Sequence, residues 1–528
     1  MKPIDVLIVG AGPAGLATAI RLKQQFTKDR RDATVVVIDK AAKLGYHSLS
    51  GSILDTTCLD ELLPGWQTTA GNFLAELAPV RRNEMFFLTG RAAFQIPPLL
   101  VPGGMKHHGE QLVSLSRLVD WLGQVAGQAG VEIYSGFAAS SLLWEGTAVR
   151  GVRLVDCGLD HSRKPQKNFL AGEEIPAAIT VLADGGRGVL SQEYTSVIGG
   201  KNKNPQVYSI GVKQIFKLPK KNTFGPNRAI STLGFPNRPD VFGGGFLYSL
   251  GNDHLAAGLI LGLDWRYTDL NPEQEFELFK THPFIQNFLQ DAQLVAAGAK
   301  TIPEGGYFSL PQLGATGALL VGDAAGFVNM EKIQGIQYAI RSGMAAADAI
   351  STVLRQDSPS EKILTLYEAG LKDRGVLSDL YRARNFRQVF QWGIFAGAPL
   401  SQIQSFLPGA LALTPDHTHT QAGARLKRTF RPTVDRTTLA ALAGTHHRED
   451  EPAHLIIPDE TLCRRCAQEF ACPCTTFCPT EVYRRQSEKI TISASNCIHC
   501  GTCAIKCPLA NIRWTPPEGG EGPRYKMM

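Results

Sequence analysis

Nine of the eleven cysteines of this 528-residue chain fall between Cys463 and Cys507. The last four stand in the run Cys497-Ile-His-Cys500-Gly-Thr-Cys503-Ala-Ile-Lys-Cys507-Pro508, which is C-x2-C-x2-C-x3-C-P. That spacing suits a [4Fe–4S] cubane. Three closely spaced thiolates reach three irons, and the fourth cysteine points away toward a second cluster. The missing fourth ligand of the first cubane comes from a distant Cys-Pro, and Cys478-Pro479 fits. A structural zinc site would show two separated C-x2-C pairs instead. A disulfide framework suits short secreted chains better than one of this length.

Upstream, Cys463-Arg-Arg-Cys466 precedes Cys472, Cys474 and Cys478. This is a half-motif with an insertion between its second and third cysteines, and Cys474 to Cys478 keeps the x3 spacing before proline. Cys463, Cys466, Cys474 and Cys507 could hold a second cubane, with Cys472 competing with Cys474. The bland alternative is a loose cysteine-rich lead-in.

Such clusters pass electrons, so the rest of the chain should supply a redox partner. Residues 4–9 (IDVLIV) read as a short buried parallel strand. Gly10-Ala11-Gly12-Pro13-Ala14-Gly15 follows, and a helical pattern begins at Leu16. In this G-x-G-x-x-G, Gly10 makes the tight turn. Gly12 lets a pyrophosphate approach, and Gly15 lets the helix pack close to the strand. A second strand over 34–38 (TVVVI) ends at Asp39, placed to receive ribose hydroxyls. Two later strands end in acid–small turns: 180–184 (TVLAD) into Gly185, and 318–322 (ALLVG) into Asp323. The second leads into a helix expected over 333–354. Asp184, Gly185, Gly322 and Asp323 thus become candidates beside a ribityl chain and pyrophosphate, which favours FAD over NAD. The fold expected is α/β, a Rossmann-type FAD-binding fold of the glutathione-reductase and hydroxylase kind.

Composition sets the frame. Hydrophobic residues make up 44% and charged residues 19%, as in ordinary globular proteins, and the net charge is +6 with pI ≈ 8.7. The basic residues form no long run, so no nucleic-acid partner is expected. Only Met1, Lys2 and Pro3 precede the first strand, which leads us to expect a prokaryotic or already processed chain. No apolar run is long enough to span a bilayer.

With these elements assembled, the sequence resembles the electron transfer flavoprotein–ubiquinone oxidoreductase family over nearly its full length. The stretches that carry the resemblance include Tyr46-His47-Ser48-Leu49-Ser50-Gly51, Phe242-Gly243-Gly244-Gly245-Phe246, Pro303-Glu304-Gly305-Gly306, Asn329-Met330-Glu331-Lys332-Ile333-Gln334-Gly335 and Asp450-Glu451-Pro452-Ala453-His454-Leu455. The resemblance implies one cluster on Cys478, Cys497, Cys500 and Cys503. It implies a quinone at Gly243 and Gly244, and it adds Ser50 and Gly51 to the FAD site. Electron transfer flavoprotein would be the donor, and ubiquinone or menaquinone the acceptor. Cys507 and the upstream cysteines depart from the family pattern. There the tail is more similar to the ferredoxin-like subunit that accompanies related nitrogen-fixation flavoproteins.

The organisation expected is an FAD domain over 1–380 with a quinone-facing β-sheet region inserted at about 205–300. A helical membrane-facing region and linker follow over 381–449, then an α+β ferredoxin-like 4Fe-4S domain over 450–528. Two stretches carry no charge: 92–105, and 388–415 with none in 28 residues. They read either as buried core or as a monotopic dip into one leaflet. Pro399 and Pro408 would interrupt any spanning helix. The location expected is the cytoplasmic face of a prokaryotic membrane. His107 and His108 read as surface residues. The rivals are a quinone-reducing subunit of an electron-bifurcating complex, a flavin-dependent geranylgeranyl reductase-like enzyme, and a non-catalytic membrane scaffold.

Overall fold

The computed structural model describes residues 4–51, 53–199, 204–356, 362–407, 424–427, 435–487 and 489–528. Residues 408–415, the end of the second uncharged stretch, lie outside them.

Continuous branched apolar residues make Ile4–Val9 a strand buried on both faces, and it becomes the centre of a parallel sheet. Val35–Asp39 and Glu132–Ser135 lie on one side, Glu174–Leu182 and Ala318–Leu320 on the other, all parallel. Their carboxyl ends therefore share one edge, where open α/β sheets bind ligands. The first helix, Pro13–Lys28, opens with proline at a position whose N–H needs no partner. It packs along the long helix Ile336–Gln356. A Cβ on Gly343 would stand 2.3 Å from the Ala14 carbonyl, so a small residue there permits the close crossing. The long helix starts three residues later than the 333 expected. Asn329 Oδ1 accepts from the N–H groups of Glu331 and Lys332, and Ile333 has φ +53°, so a tight turn occupies those positions.

A second, seven-stranded sheet runs in the order Gln293–Pro303, Tyr208–Lys217, His254–Gly262, Gly243–Leu250, Arg228–Gly234, Arg82–Leu88, Ala93–Gln95. It is antiparallel except where Arg82–Leu88 joins Arg228–Gly234 in parallel. Two of its strands thus come from outside the 205–300 segment. Helices Pro272–Lys280 and Pro283–Leu289 cover it.

The cysteine tail folds as a small α+β unit with the hairpin Tyr483–Gln486 and Lys489–Ile492 and the helices Glu460–Phe470, Cys474–Phe477 and Thr502–Lys506. It shares a hydrophobic core with the second sheet. Thr301 N donates to Cys500 O at 3.1 Å, and Tyr525 N to Tyr46 O at 2.9 Å. Glu518 Oε1 accepts from Gly158 N at 2.8 Å and from Arg448 Nη2 at 2.7 Å. The tail is thereby clasped to the second sheet, to the loop after Val35–Asp39 and to the two-stranded ribbon of Cys157–Leu159 and Pro165–Leu170.

Candidate cofactor and quinone site

The shared edge of the parallel sheet opens into a cavity of ≈ 980 Å³. Gly10, Gly12, Asp39, Asp184, Gly185 and Asp323 line it at the ends of the parallel strands, and Gly243, Gly244 and Gly245 line it from the second sheet. Ser50 and Gly51 line it too, the Ser50 carbonyl accepting from Lys213 and Tyr248 of that sheet. The three glycines of the first turn have three different surroundings. Gly10 has φ +105°, and a Cβ there would stand 2.3 Å from Ala183 O. A Cβ on Gly15 would stand 2.0 Å from Gly10 O. Around Gly12 nothing lies within 4 Å. The first two are needed for packing, and the third leaves an open cradle at the helix N-terminus, suited to an anion. This fits the pyrophosphate of FAD.

Asp39 accepts from Ala11 N at 2.7 Å and Ala41 N at 2.8 Å, which fixes its carboxylate at the rim. Asp184 points one oxygen at Leu190 N and Ser191 N, so it caps the helix Val189–Ile198, while its other oxygen is buried with no protein partner. That orphaned oxygen also fits a polar ligand in the cavity. Burial pushes the Asp323 carboxyl up to about 6, with Lys300 pulling the other way. Gly322, at φ +60°, is held by Ser342 Oγ and sits against Ala14 rather than lining the cavity. Lys300 lies on the wall formed by Gln293–Pro303; burial lowers its pKa, opposed by Cys500, Asp323 and Asp39.

Gly243 and Gly244 stand in the second sheet, where a Cβ would meet Ile260 O at 1.9 Å and Thr232 O at 2.2 Å. Gly243 also has φ +131°. The sheet itself therefore demands these glycines, and the result is a flat backbone wall on the cavity. Below it Arg387 bridges Glu304 (3.3 Å) and Asp264 (2.8 Å). Burial pushes the Glu304 carboxyl up to about 7 against the pull of Arg387, and Glu304 lines the cavity.

At its outer end the cavity is lined by Leu100, Ile403 and Phe406. Here the uncharged stretches divide. Gln388 and Val389 are buried, whereas Leu99, Phe395 and Phe406 are 79%, 70% and 72% exposed. Phe94, Leu100, Trp392 and Leu407 are exposed beside them. Gln402 Nε2 reaches Leu99 O at 3.5 Å and the Phe87 and Phe395 rings lie 6.2 Å apart, so the two stretches form one patch. Pro399 lies within the helix Ile394–Phe406 and does not end it. Thirteen residues cover only about 20 Å. Among the described residues no helix is long and apolar enough to cross a membrane.

The tail offers two groups of thiols. Cys478 and Cys503 are pushed up to about 11 and about 12, each by burial first and then by Cys500. Cys497 is pushed up by burial and by Cys503, Cys500 and Cys478. Four mutually neighbouring buried thiols fit the donor set of a cubane, and ligated iron would relieve their crowding.

Some features escaped the sequence reading. His107 is 5% exposed, not a surface residue. It lines the cavity, bonded to Glu110 at 2.8 Å, and Gln334 holds the same carboxylate at 2.6 Å. His108 is exposed. His47, His447, His454 and His499 form a ring cluster against Trp514, with His447 and His454 stacked at 5.0 Å and the edge-to-face contacts His47–His499, His447–His499, His454–His499 and His499–Trp514 at 5.1 to 5.5 Å. Burial disfavours charge on His447, but Glu451 and Glu521 outweigh it and hold the imidazole up to about 9.

Three family models match the chain. One described as electron transfer flavoprotein-ubiquinone oxidoreductase, 4Fe-4S, covers residues 431–526. One described as ETF-QO, ubiquinone-binding, covers 208–302, and an NAD(P)-binding Rossmann-like domain covers 8–65. A probable mitochondrial electron transfer flavoprotein-ubiquinone oxidoreductase of Schizosaccharomyces pombe is 36% identical over 551 residues, across 100% of this chain and 86% of that protein. The mitochondrial protein of that name from Homo sapiens is 36% identical, across 99% and 89%. Among solved structures, a geranylgeranyl bacteriochlorophyll reductase-like protein of Thermoplasma acidophilum aligns with TM-score 0.55 at 17% identity, over 78% of this chain and 98% of that one. A flavin-dependent brominase aligns with TM-score 0.52 at 16% identity, over 77% and 89%. These two share the fold.

Proposed function

Because this chain belongs to the electron transfer flavoprotein–ubiquinone oxidoreductase family, we infer that it takes electrons from reduced electron transfer flavoprotein and delivers them to a membrane quinone. Its cofactors are FAD and a [4Fe–4S] cluster, which when bound supply the two- and one-electron redox chemistry. The observation that carries the reading is the cavity. It runs unbroken from the glycine–acid edge of the parallel sheet to an exposed apolar patch, and the Cys500 segment is hydrogen-bonded to its wall.

The residues divide the work. Gly12 and the start of Pro13–Lys28 would hold the pyrophosphate, Asp39 the ribose, and Lys300 adds positive charge beside them. Cys478, Cys497, Cys500 and Cys503 would hold the cluster. The backbone wall at Gly243 and Gly244 would receive the flat quinone head. Quinone reduction consumes protons as well as electrons, and Glu304 can hold one at its carboxyl near neutral pH. Leu99, Phe395, Phe406 and Leu407 would enter one leaflet, so that an isoprenoid tail passes from lipid into the cavity without crossing water.

On this reading the chain works at a membrane surface as a peripheral protein, which the exposed apolar patch supports. Its relatives carry mitochondrial names; the prokaryotic cytoplasmic face is the finer expectation, and fractionation of source cells separates the two. The main test is stopped-flow absorbance with purified electron transfer flavoprotein. Reduced donor should bleach the bound flavin, and added quinone should restore its absorbance. A fully flavinated chain that neither partner affects would overturn the reading.

A further inference from the structure

The tail contains an internal two-fold relation that reaches beyond the family's single cluster. The short helices Cys474–Phe477 and Thr502–Lys506 pack on each other. Each leads into a cysteine in extended backbone, Cys478 (φ −69°, ψ 120°) and Cys507 (φ −62°, ψ 116°), and each cysteine precedes a proline. Three residues on, both halves turn through positive φ, at Glu481 (+55°) and Ala510 (+49°). The next backbone N–H then donates back to the cysteine sulfur: Val482 to Cys478 at 3.4 Å, and Asn511 to Cys507 at 3.2 Å. The two halves are the same device built twice.

In one half, Cys478 neighbours Cys497, Cys500 and Cys503 from the other run. The relation puts Cys507 among the upstream thiols, and the contacts agree. Asn511 donates from its backbone to Cys507 and from Nδ2 to Cys463 at 3.3 Å, so one residue links two cysteines distant in sequence. Cys466 lies within electrostatic reach of Cys472, Cys507 and Cys463, and Cys474 within reach of all four. The relation also separates the two competitors. Cys474 opens its helix and stands before Cys478 as Cys503 stands before Cys507. Cys472 falls where the other half has Gly501, and both residues have positive φ, +53° and +83°.

We propose that Cys463, Cys466, Cys474 and Cys507 bind a second [4Fe–4S] cluster, with Cys472 beside it as a non-ligand. Four iron–thiolate bonds form as four thiol protons leave for solvent. A single zinc fits less well. Thiolates on one tetrahedral zinc with 2.3 Å bonds stand about 3.8 Å apart, whereas among the described residues no three of these sulfurs lie within 4.8 Å of one another. The inference adds a redox centre and does not depend on which quinone or donor the enzyme uses.

The test is metal and sulfide content of the full-length chain, purified or reconstituted without oxygen, normalised to flavin. About eight irons and eight sulfides per flavin are expected, against about four for the family's single cluster. Cys507→Ser and, as a second variant at the half-buried edge, Cys463→Ser should each fall to about four irons with flavin retained. Cys472→Ser should keep about eight, whereas Cys474→Ser should not. Fully reduced wild type should show two coupled spins per flavin by electron paramagnetic resonance, a readout that stands even if a variant fails to fold. Four irons with one uncoupled spin in reconstituted wild type, or four irons with one zinc, would overturn the proposal.

Discussion

The two sheets that share the cavity meet it with opposite parts of their geometry. The parallel sheet presents its ends: the carboxyl termini of adjacent strands bring Gly10, Asp39, Asp184 and Asp323 to one line. The antiparallel sheet presents its face, where Gly243, Gly244 and Gly245 have no side chains. Strand ends expose unpaired backbone groups and the start of a helix, and they suit a charged, hydrogen-bonding dinucleotide. A strand face has its backbone groups already paired and offers a flat surface, which suits a planar apolar head. A chain needing both kinds of ligand in contact can place one sheet's end against another's face.

This contrast can be broken in steps. The largest effect is expected at the strand ends. Gly12→Arg fills the open cradle of the first turn, so purified protein should carry below about one-tenth of the wild-type flavin by its absorbance ratio; a stoichiometric yellow protein would remove Gly12 from the FAD site. Next is the outer patch. Phe395→Asp with Leu407→Asp removes two side chains worth about 1.5–3 kcal/mol each when buried. Sedimentation with lipid vesicles should show partitioning weakened by about a hundredfold or more, and unchanged partitioning would return the patch to ordinary surface.

On the sheet face, Gly244→Ala places a methyl 2.2 Å from Thr232 O. A cost of about 1–3 kcal/mol is expected from thermal unfolding. Flavin should stay bound, and quinone turnover should fall more than flavin reduction by the donor. Flavin loss as complete as in Gly12→Arg would end the division between end and face. The smallest effect is expected at Glu304. Its carboxyl, raised to about 7 by burial, is protonated below that pH and loses its proton as pH rises through it. Quinone reduction should therefore decline through about pH 7. Glu304→Gln should lose that inflection while flavin reduction keeps its own profile.

The parts legible in the sequence are those fixed by short spacing. The first glycine turn and the run from Cys497 to Cys507 specify their geometry within a dozen residues, as the positions of Gly10, Gly12, Gly15 and Cys500 illustrate. The parts that were not legible join distant segments. Arg82–Leu88 enters the second sheet only through Arg228–Gly234. The histidine cluster draws on three separate stretches, and no periodicity links His47 to His447, His454 and His499. His107 read as polar surface because its burial depends on Gln334, far along the chain. The uncharged stretches mixed two fates, since hydrophobicity alone does not separate buried Val389 from exposed Phe395.

The clasp between Glu518 and Gly158 spans 360 residues. At a synthesis rate of about 5–20 residues per second, its two halves leave the ribosome roughly 20–70 s apart. Throughout that interval the strands Cys157–Leu159 and Pro165–Leu170 exist without Glu518, which later bonds to the first of them. Closure of this clasp is therefore a late, long-range event. The cavity, lined mostly by residues up to Phe406 and also by Trp514 and Pro516, is completed only when the tail is in place.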